Sequence, residues 1–552
     1  MNTTPASRYA IPLIAIILSC SSGEGGVLYV SPGGDDQNSG TIGSPWETIN
    51  HALEMALPDD TILLRNGVYN QLVETSHGGN AGAPITVMNY PGEVAYIDGT
   101  GITEGRNGFI IAHSSITVIG VKVRRWPDSG IWVQANVGFL TIRGCEVYDC
   151  GSGIDLYEGV HDFLIDSVDL HGFAEESHGF DATSHDGAPI YNGVISNSKS
   201  HDGGGGNCDG FALGHASGYG SFQDVRNVRF VNCQAYNIGD GFDISGRDII
   251  LERCVAHDTY YGGNYKLWAT NPTLINCIGY NGGANVELDV GESPPVTARL
   301  YNCTFYNGTN NNIWIQTDSC RLIMYNCIVA GGDNVGMRTE ELFQRGVYTG
   351  DYNLFHCGNA QRMFADPLQD LSLSDFQAGA WTQLTGQDSN SRVALDATTI
   401  FTDTSSATID LHLRNGAPAI DGGTIIVGST PAIDADGRPR GDGAIDIGAF
   451  EYQGSVDVSV DKGDSPDGSG VRFFPNPASD RGVIQIPLAR VEHVHIDLYD
   501  PTGRIVATLF DGIADPGILE APIDASRLRT GRYTAVAIVA GKRQTIRLAV
   551  IR

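Results

Sequence analysis

The sequence predicts an all-β chain: a right-handed parallel β-helix (a solenoid) followed by a small C-terminal β-sandwich domain. Three observations carry that prediction. First, six segments share one pattern and end in Cys: Leu140 to Cys145, Val228 to Cys233, Ile249 to Cys254, Thr273 to Cys277, Ala298 to Cys303 and Leu322 to Cys327. Second, residues 453–470 are polar, acidic and rich in Gly and Ser. Third, a compact run of alternating apolar residues and turn signals follows that stretch.

The repeat gives the main body. Ser167 and Ser198 take the place of Cys in two further copies, and the marks are spaced 22, 31, 35, 21, 23, 26 and 24 residues apart. A period in the low twenties, with apolar alternation and Asn or Gly at corners, is the pattern of a β-helix. One coil cannot bury its apolar face alone, and stacking coils about 4.8 Å apart does so. Most of the 11 cysteines are therefore expected as a stacked inward ladder of small hydrophobes. A disulfide between Cys145 and Cys150 is the one exception considered.

The ends follow. Trp46 to Met55 has helical periodicity and is expected to cap the open end of the core. Residues 361–452 are less regular and close the solenoid. The domain map is residues 1–20 as an export signal, 27–452 as the β-helix, 453–470 as a linker and 471–552 as the C-terminal β domain. In the signal, Arg8 supplies the positive region, and Ile11 to Leu18 form an apolar run too short to span a membrane. Ile17-Leu18-Ser19-Cys20 resembles a bacterial lipobox with Cys20 as the lipidated residue. Ordinary cleavage nearby is the alternative.

Charge narrows the function. Lys and Arg total 34 against 64 Asp and Glu, a net charge of −30. Nucleic acid selects basic faces, so it is excluded as a partner. An acidic substrate would need a cation to reverse the local sign.

The two longest gaps in the repeat lie between 167 and 233, so loops bulge there, and loops on a rigid scaffold tend to carry function. Aligned coil by coil, one position reads Ser152, His178, Asp209, Asp240, Gly263, and a second reads Asp155, Asp181, Ala212, Asp243, Lys266, Glu287. Residues between them point into the core, so the second position points out. Stacking gathers Asp209, Asp240 and Asp243 on one exterior face, with Lys266 one coil on. Stacked carboxylates repel unless a cation joins them, and three of them suit Ca²⁺. His178, His185, His201 and His215 lie in or near the loop insertions as candidate substrate contacts. Trp126, Trp132, Trp268 and Trp314 are either sugar platforms or packed.

Asn207-Cys-Asp209-Gly-Phe-Ala-Leu, Ala235 to Asp243 and Gly263-Asn-Tyr-Lys266-Leu resemble the active-site segments of family nine polysaccharide lyases, which are pectate lyases on a right-handed parallel β-helix. The resemblance implies calcium bound by Asp209, Asp240 and Asp243, Lys266 as the base that abstracts a proton, and an acidic polysaccharide as substrate. The family places two consecutive Asp before Gly-Phe, whereas Gly239 precedes Asp240 here. One ligand is thus missing or supplied elsewhere, with Asp181 and Asp202 as candidates. Phe473-Phe-Pro-Asn-Pro-Ala-Ser479, Ile496 to Arg504 and Leu528 to Tyr533 resemble the sorting domain of the type IX secretion system. That implies the type IX machinery as a partner and a protein that is secreted or attached to the cell surface. A monomer is expected. The alternatives kept are a polygalacturonase-type hydrolase, a lyase on alginate or a glycosaminoglycan, and a non-catalytic glycan-binding surface protein.

Overall fold

The computed structural model describes residues 25–184, 187–214, 225–289, 295–332, 334–358, 362–406, 408–426, 428–440, 444–452, 472–474, 481–488, 492–499, 505–514, 517–525, 528, 531–539 and 542–550. The export signal with Cys20, the linker at 453–470, His185 and His215 lie outside these residues. The chain divides into two compact units at 454/455.

The first unit is a right-handed parallel β-helix of three sheets with 13 strands each. Successive coils add one strand to each sheet, and neighbouring strands run parallel, as in Leu140↔Phe163 and Val147↔Leu170, except that the terminal strand Gln369–Leu371 of the second sheet pairs antiparallel with Phe364–Asp366. Asn residues make the corners. Asn197, Asn232, Asn276, Asn302 and Asn326, each just before a Ser or Cys mark, hold φ between +51° and +56°. Asn tolerates this left-handed region better than other side chains.

The next residue turns inward. Cys233, Cys254, Cys277, Cys303 and Cys327 are buried free thiols. They form a ladder in which the S–H groups of Cys233, Cys277, Cys303 and Cys327 reach carbonyls of the preceding coil, as Cys277 Sγ does to Leu251 O at 3.3 Å. Cys145 and Cys150 are also free and buried, so no disulfide joins them. They flank the strand Glu146–Tyr148, and an extended stretch of that length holds their Cα atoms well beyond the roughly 7 Å limit for a disulfide.

A helix, α1 (Ile49–Met55), covers the N-terminal end of the core. The Thr48 side chain accepts from the His51 N–H, and Ile49, Ala52 and Leu53 are buried. Trp46 lies before the helix and bridges to Val30. The strands that matter for function belong to the second sheet: β1 (Ser129–Val133), β2 (Ser152–Leu156), β3 (His178–Ala182), β4 (Asp209–Leu213), β5 (Asp240–Ile244), β6 (Gly263–Leu267), β7 (Ala284–Leu288) and β8 (Asn311–Ile315). Their inward aromatics stack through the core. Phe211 and Phe242 ring centroids are 5.1 Å apart and Phe242 and Tyr265 5.2 Å. Each fully buried ring contributes about 2–3 kcal/mol by apolar transfer.

Two short helices, α2 (Leu373–Gln377) and α3 (Ala380–Thr385), follow the last coils. Trp381 of α3 stacks on Phe364 at 3.8 Å and donates to Asp388 Oδ2 at 2.8 Å. The chain then forms an outer layer on the third sheet. Ile400, Phe401, Leu411, Leu413, Ile447 and Phe450 form an apolar cluster with Ile278, Ile328 and Leu354. Buried Arg440 fixes this layer through Glu451 Oε2 at 3.0 Å and Asn276 Oδ1 at 2.8 Å.

The second unit holds two antiparallel sheets, of three and four strands. One core cluster, including Ile484, Val494, Ile496, Ala535 and Leu548, draws on both sheets.

Candidate metal and base centre

The pattern x-Gly-aromatic-x-apolar repeats in β3 to β5. The glycine is required by close packing between coils. A Cβ on Gly241 would lie 2.6 Å from Asn264 O and 2.9 Å from Ala256 Cβ. The two residues flanking each Gly-aromatic pair form two columns. In one, His178, Asp209 and Asp240 are consecutive register partners. In the other, Trp132, Asp155, Asp181, Ala212, Asp243, Lys266, Glu287 and Trp314 follow each other coil by coil.

Asp209, Asp240 and Asp243 meet where the columns adjoin. One carboxylate oxygen from each lies within 4.8 Å of the others, and all three residues are buried. Among the described residues, no well-formed hydrogen bond reaches either oxygen of Asp209. Its neighbouring cation is His178, whose Nε2 is 3.3 Å from Oδ2. Burial pulls the His178 imidazole down, but Asp209 and Asp181 outweigh it and raise its pKa to about 9. Burial and the adjacent Asp243 push the Asp240 carboxyl up to about 7. Lys266 Nζ lies 3.2 Å from Asp243 Oδ2 and 3.4 Å from Asp240 Oδ2, and 4.8 Å from the centroid of the Trp268 ring. Burial pulls this ammonium down, while Asp243 and Asp240 raise it further, so its pKa stands above the ordinary lysine value.

Three buried carboxylates, one with an oxygen, Asp209 Oδ1, that has no partner among the described residues, fit a hard divalent cation such as Ca²⁺. Asp181 lies outside this group: it pairs with Asp155 and Ala212, and its Oδ1 accepts from Thr183 Oγ1 at 2.7 Å. Asp202 is exposed, 2.8 Å from His201 Nδ1 and accepting from Asn237 Nδ2 at 3.0 Å. Gly239 shows why a second consecutive Asp is absent. A Cβ there would lie 2.7 Å from Cys208 N and Gly206 O, so the backbone of the preceding coil fills the space.

Other expected contacts fall elsewhere. His201 stacks between His171 and Tyr236 on the third sheet, at 5.0 and 4.7 Å. Trp126 is packed in the core. Trp132 and Trp314 both face out in the column. A shallow depression of about 480 Å³ opens over Trp132, Ser129 and Asp155. Burial and the charge of Asp181 push the Asp155 carboxyl up to about 7. Glu287, buried beside Lys266, is likewise raised to about 7, chiefly by burial. One outward residue escaped the sequence comparison. Arg338 pairs with Trp314 in Val335-Gly-Met-Arg338, which repeats the spacing without Asp or Phe.

Residues 28–272 match the family model described as "Pel9A-like, right handed beta helix region", and residues 472–552 match "Secretion system C-terminal sorting domain". The chain is 42% identical over 132 residues to the uncharacterized protein YwoF of Bacillus subtilis, covering 22% of this chain and 28% of that one. It is 39% identical over 74 residues to pectate lyase PEL9 of Emericella nidulans, covering 13% of this chain and 18% of that one. The chain thus spans less than a third of the length of these curated relatives. Among solved structures, pectate lyase Pel9A superposes with a TM-score of 0.41 at 17% identity, over 77% of this chain and 96% of that one. Residues 28–272 of this chain are thus similar to a Pel9A-like right-handed β-helix region, and residues 472–552 to a secretion system C-terminal sorting domain.

Proposed function

We propose that this chain is a calcium-dependent polysaccharide lyase that cleaves a uronate-containing polymer, pectate or polygalacturonate first, by β-elimination with Lys266 as general base. One observation carries the proposal: Lys266 Nζ sits within 3.4 Å of two carboxylates of a buried three-Asp group. The stretch of sequence shared with a pectate lyase supports the substrate class.

Asp209, Asp240 and Asp243 would hold the calcium. When bound, it supplies positive charge beside the substrate carboxylate and makes the adjacent C5–H more acidic. Lys266 Nζ takes the C5 proton. The C5–H electron pair becomes the C4=C5 double bond, the C4–O bond breaks, and the departing oxygen leaves with the C4–O bonding pair and takes up a proton. Lys266 must be neutral to act as base. Asp243 and Asp240 are what hold its pKa up. Neutralising them leaves burial, which lowers it. Asp209 has Oδ1 without a partner among the described residues, available as a ligand, while His178 faces its Oδ2. The sorting domain fits a product released outside the cell or held at its surface.

The test is ultraviolet absorbance of the unsaturated product from polygalacturonate, with calcium and with chelator, for wild type and Lys266→Ala. A calcium-dependent rise lost in the variant is expected. A rise that survives in Lys266→Ala removes Lys266 as base. New reducing ends without absorbance indicate hydrolysis, and binding without turnover indicates a glycan-binding surface protein.

A further inference from the structure

Beyond Lys266 the outward column continues through Glu287, Trp314 and Arg338 to Ala365. Trp314 is partly exposed, and its Nε1–H donates to Glu340 Oε1 at 3.2 Å. Arg338 Nη2 pairs with the same oxygen at 2.7 Å. The Arg338 Cζ lies 5.7 Å from the centroid of the Trp314 ring. One carboxylate therefore fixes an indole and a guanidinium side by side on the open face. The Arg338 side chain keeps 43% of its surface exposed, and a guanidinium has five N–H donors, so donors remain for a ligand.

The column is electrically lopsided. On the near side of Asp243 it carries Asp181 and Asp155. Among the described residues of the column, from Glu74 to Ala365, cations occur at Lys266 and Arg338 alone. A polyanion lying along it meets carboxylates alone at Asp155 and Asp181, and past Asp243 it meets Lys266 and Arg338 with Glu287 between them. Trp314 and Arg338 are two and three coils past Lys266, about 10 and 14 Å at the usual strand spacing. That is a span of a few pyranose units.

We propose that Trp314, Arg338 and Glu340 form a sugar subsite that reads a carboxylate of the bound polymer, two to three coils beyond Lys266. This rests on the uronate-polymer reading above. Trp314 offers its face to the C–H side of a sugar ring. Arg338 presents a planar fork to the uronate carboxylate. Glu340 does not contact the sugar; it holds the Trp314 indole and the Arg338 guanidinium in place.

The experiment compares wild type, Arg338→Gln, Arg338→Lys and Trp314→Ala as full chains. KM and kcat are measured on polygalacturonate and on its methyl-esterified form. Binding of a uronate oligosaccharide is measured in parallel by calorimetry. Arg338→Gln should raise KM on the acidic polymer about tenfold, the weight of one charge-assisted contact, with kcat near wild type. KM on the esterified polymer should not move, and Arg338→Lys should recover part of the loss. Trp314→Ala should raise KM on both polymers. Equal KM and equal affinity in wild type and Arg338→Gln overturn the subsite and leave the lyase standing. Absence of turnover by wild type, with a tenfold affinity difference between the two, overturns the lyase and leaves the subsite.

Discussion

Asp240 Oδ1 accepts a 2.6 Å hydrogen bond from the backbone N–H of Gly263 on the next coil. This bond fixes the carboxylate and turns Oδ2 towards Lys266. Asp240→Asn retains an acceptor for that N–H but removes a charge. The variant should stay folded and lose about 100-fold or more in calcium-dependent kcat/KM. In chelator its melting temperature should exceed that of wild type, because one of three mutually repelling buried carboxylates is gone. Activity assays and thermal melts check both. Wild-type activity in Asp240→Asn would remove Asp240 from the site.

Gly239→Asp restores the double acid of the family's corner. It should fail to improve calcium binding, because the new side chain collides with Cys208 and Gly206 backbone atoms. We expect a loss of about 1–3 kcal/mol or more in stability, measured as a lower urea midpoint. An unchanged midpoint with tighter calcium binding would show that the preceding coil yields.

Asp155 and Glu287 set a pH dependence of stability. Both stand near pKa 7 in the folded chain, above their unfolded values of about 4. Their stabilising contribution is full below about pH 4 and is lost as pH rises through 7. Metal-free protein should therefore melt progressively lower from pH 5 to pH 8. Asp155→Asn should flatten that slope. Melts in chelator at four pH values suffice, and a slope equal to wild type in the variant would count against Asp155 as a source.

Asn285 sits in a buried amide ladder behind the base. It accepts from Asn264 Nδ2 at 2.6 Å and donates to Asn312 Oδ1 at 2.7 Å and Tyr306 O at 3.0 Å. Asn285→Ala should cost about 2–4 kcal/mol through lost bonds and an empty space. Equilibrium denaturation measures it. A cost below 0.5 kcal/mol, about the size of a neutral surface change, would mean that the ladder is dispensable.

The solenoid was legible because its corners repeat in sequence. Asn or Gly before a Cys or Ser mark fixes both the turn and the inward residue, and period-two alternation then assigns the faces. The meeting of Asp209, Asp240 and Asp243 follows from that register alone. What the sequence hid depends on contacts that no local pattern encodes. Gly239 shows only that an Asp is missing, while the reason lies in the coil before it. His201 lies near a loop insertion, yet it belongs to the third sheet, where its ring stacks with His171 and Tyr236. Arg338 carries the spacing but none of the letters that made the other coils recognisable. The outer layer at 394–450 has no repeat, and its partners lie far away in sequence, as in Asn276 Nδ2 to Ile433 O at 2.7 Å.

That layer changes how the molecule comes apart. A solenoid held only by neighbour-to-neighbour contacts can fray from its free end, one coil after another. Here Asn276, Asn302 and Asn326, on three successive coils, are bonded to Ile433, Asp446 and Thr424 of the covering strap. Peeling the last coil leaves the strap anchored on earlier ones, so the coils between 276 and 355 should yield together. Pulled from its C-terminal end, the protein would load the strap first, because the strap follows the coils in the chain; the coils it covers would be held until its bonds to Asn302, Asn276 and Asn326 part, and would release only afterwards.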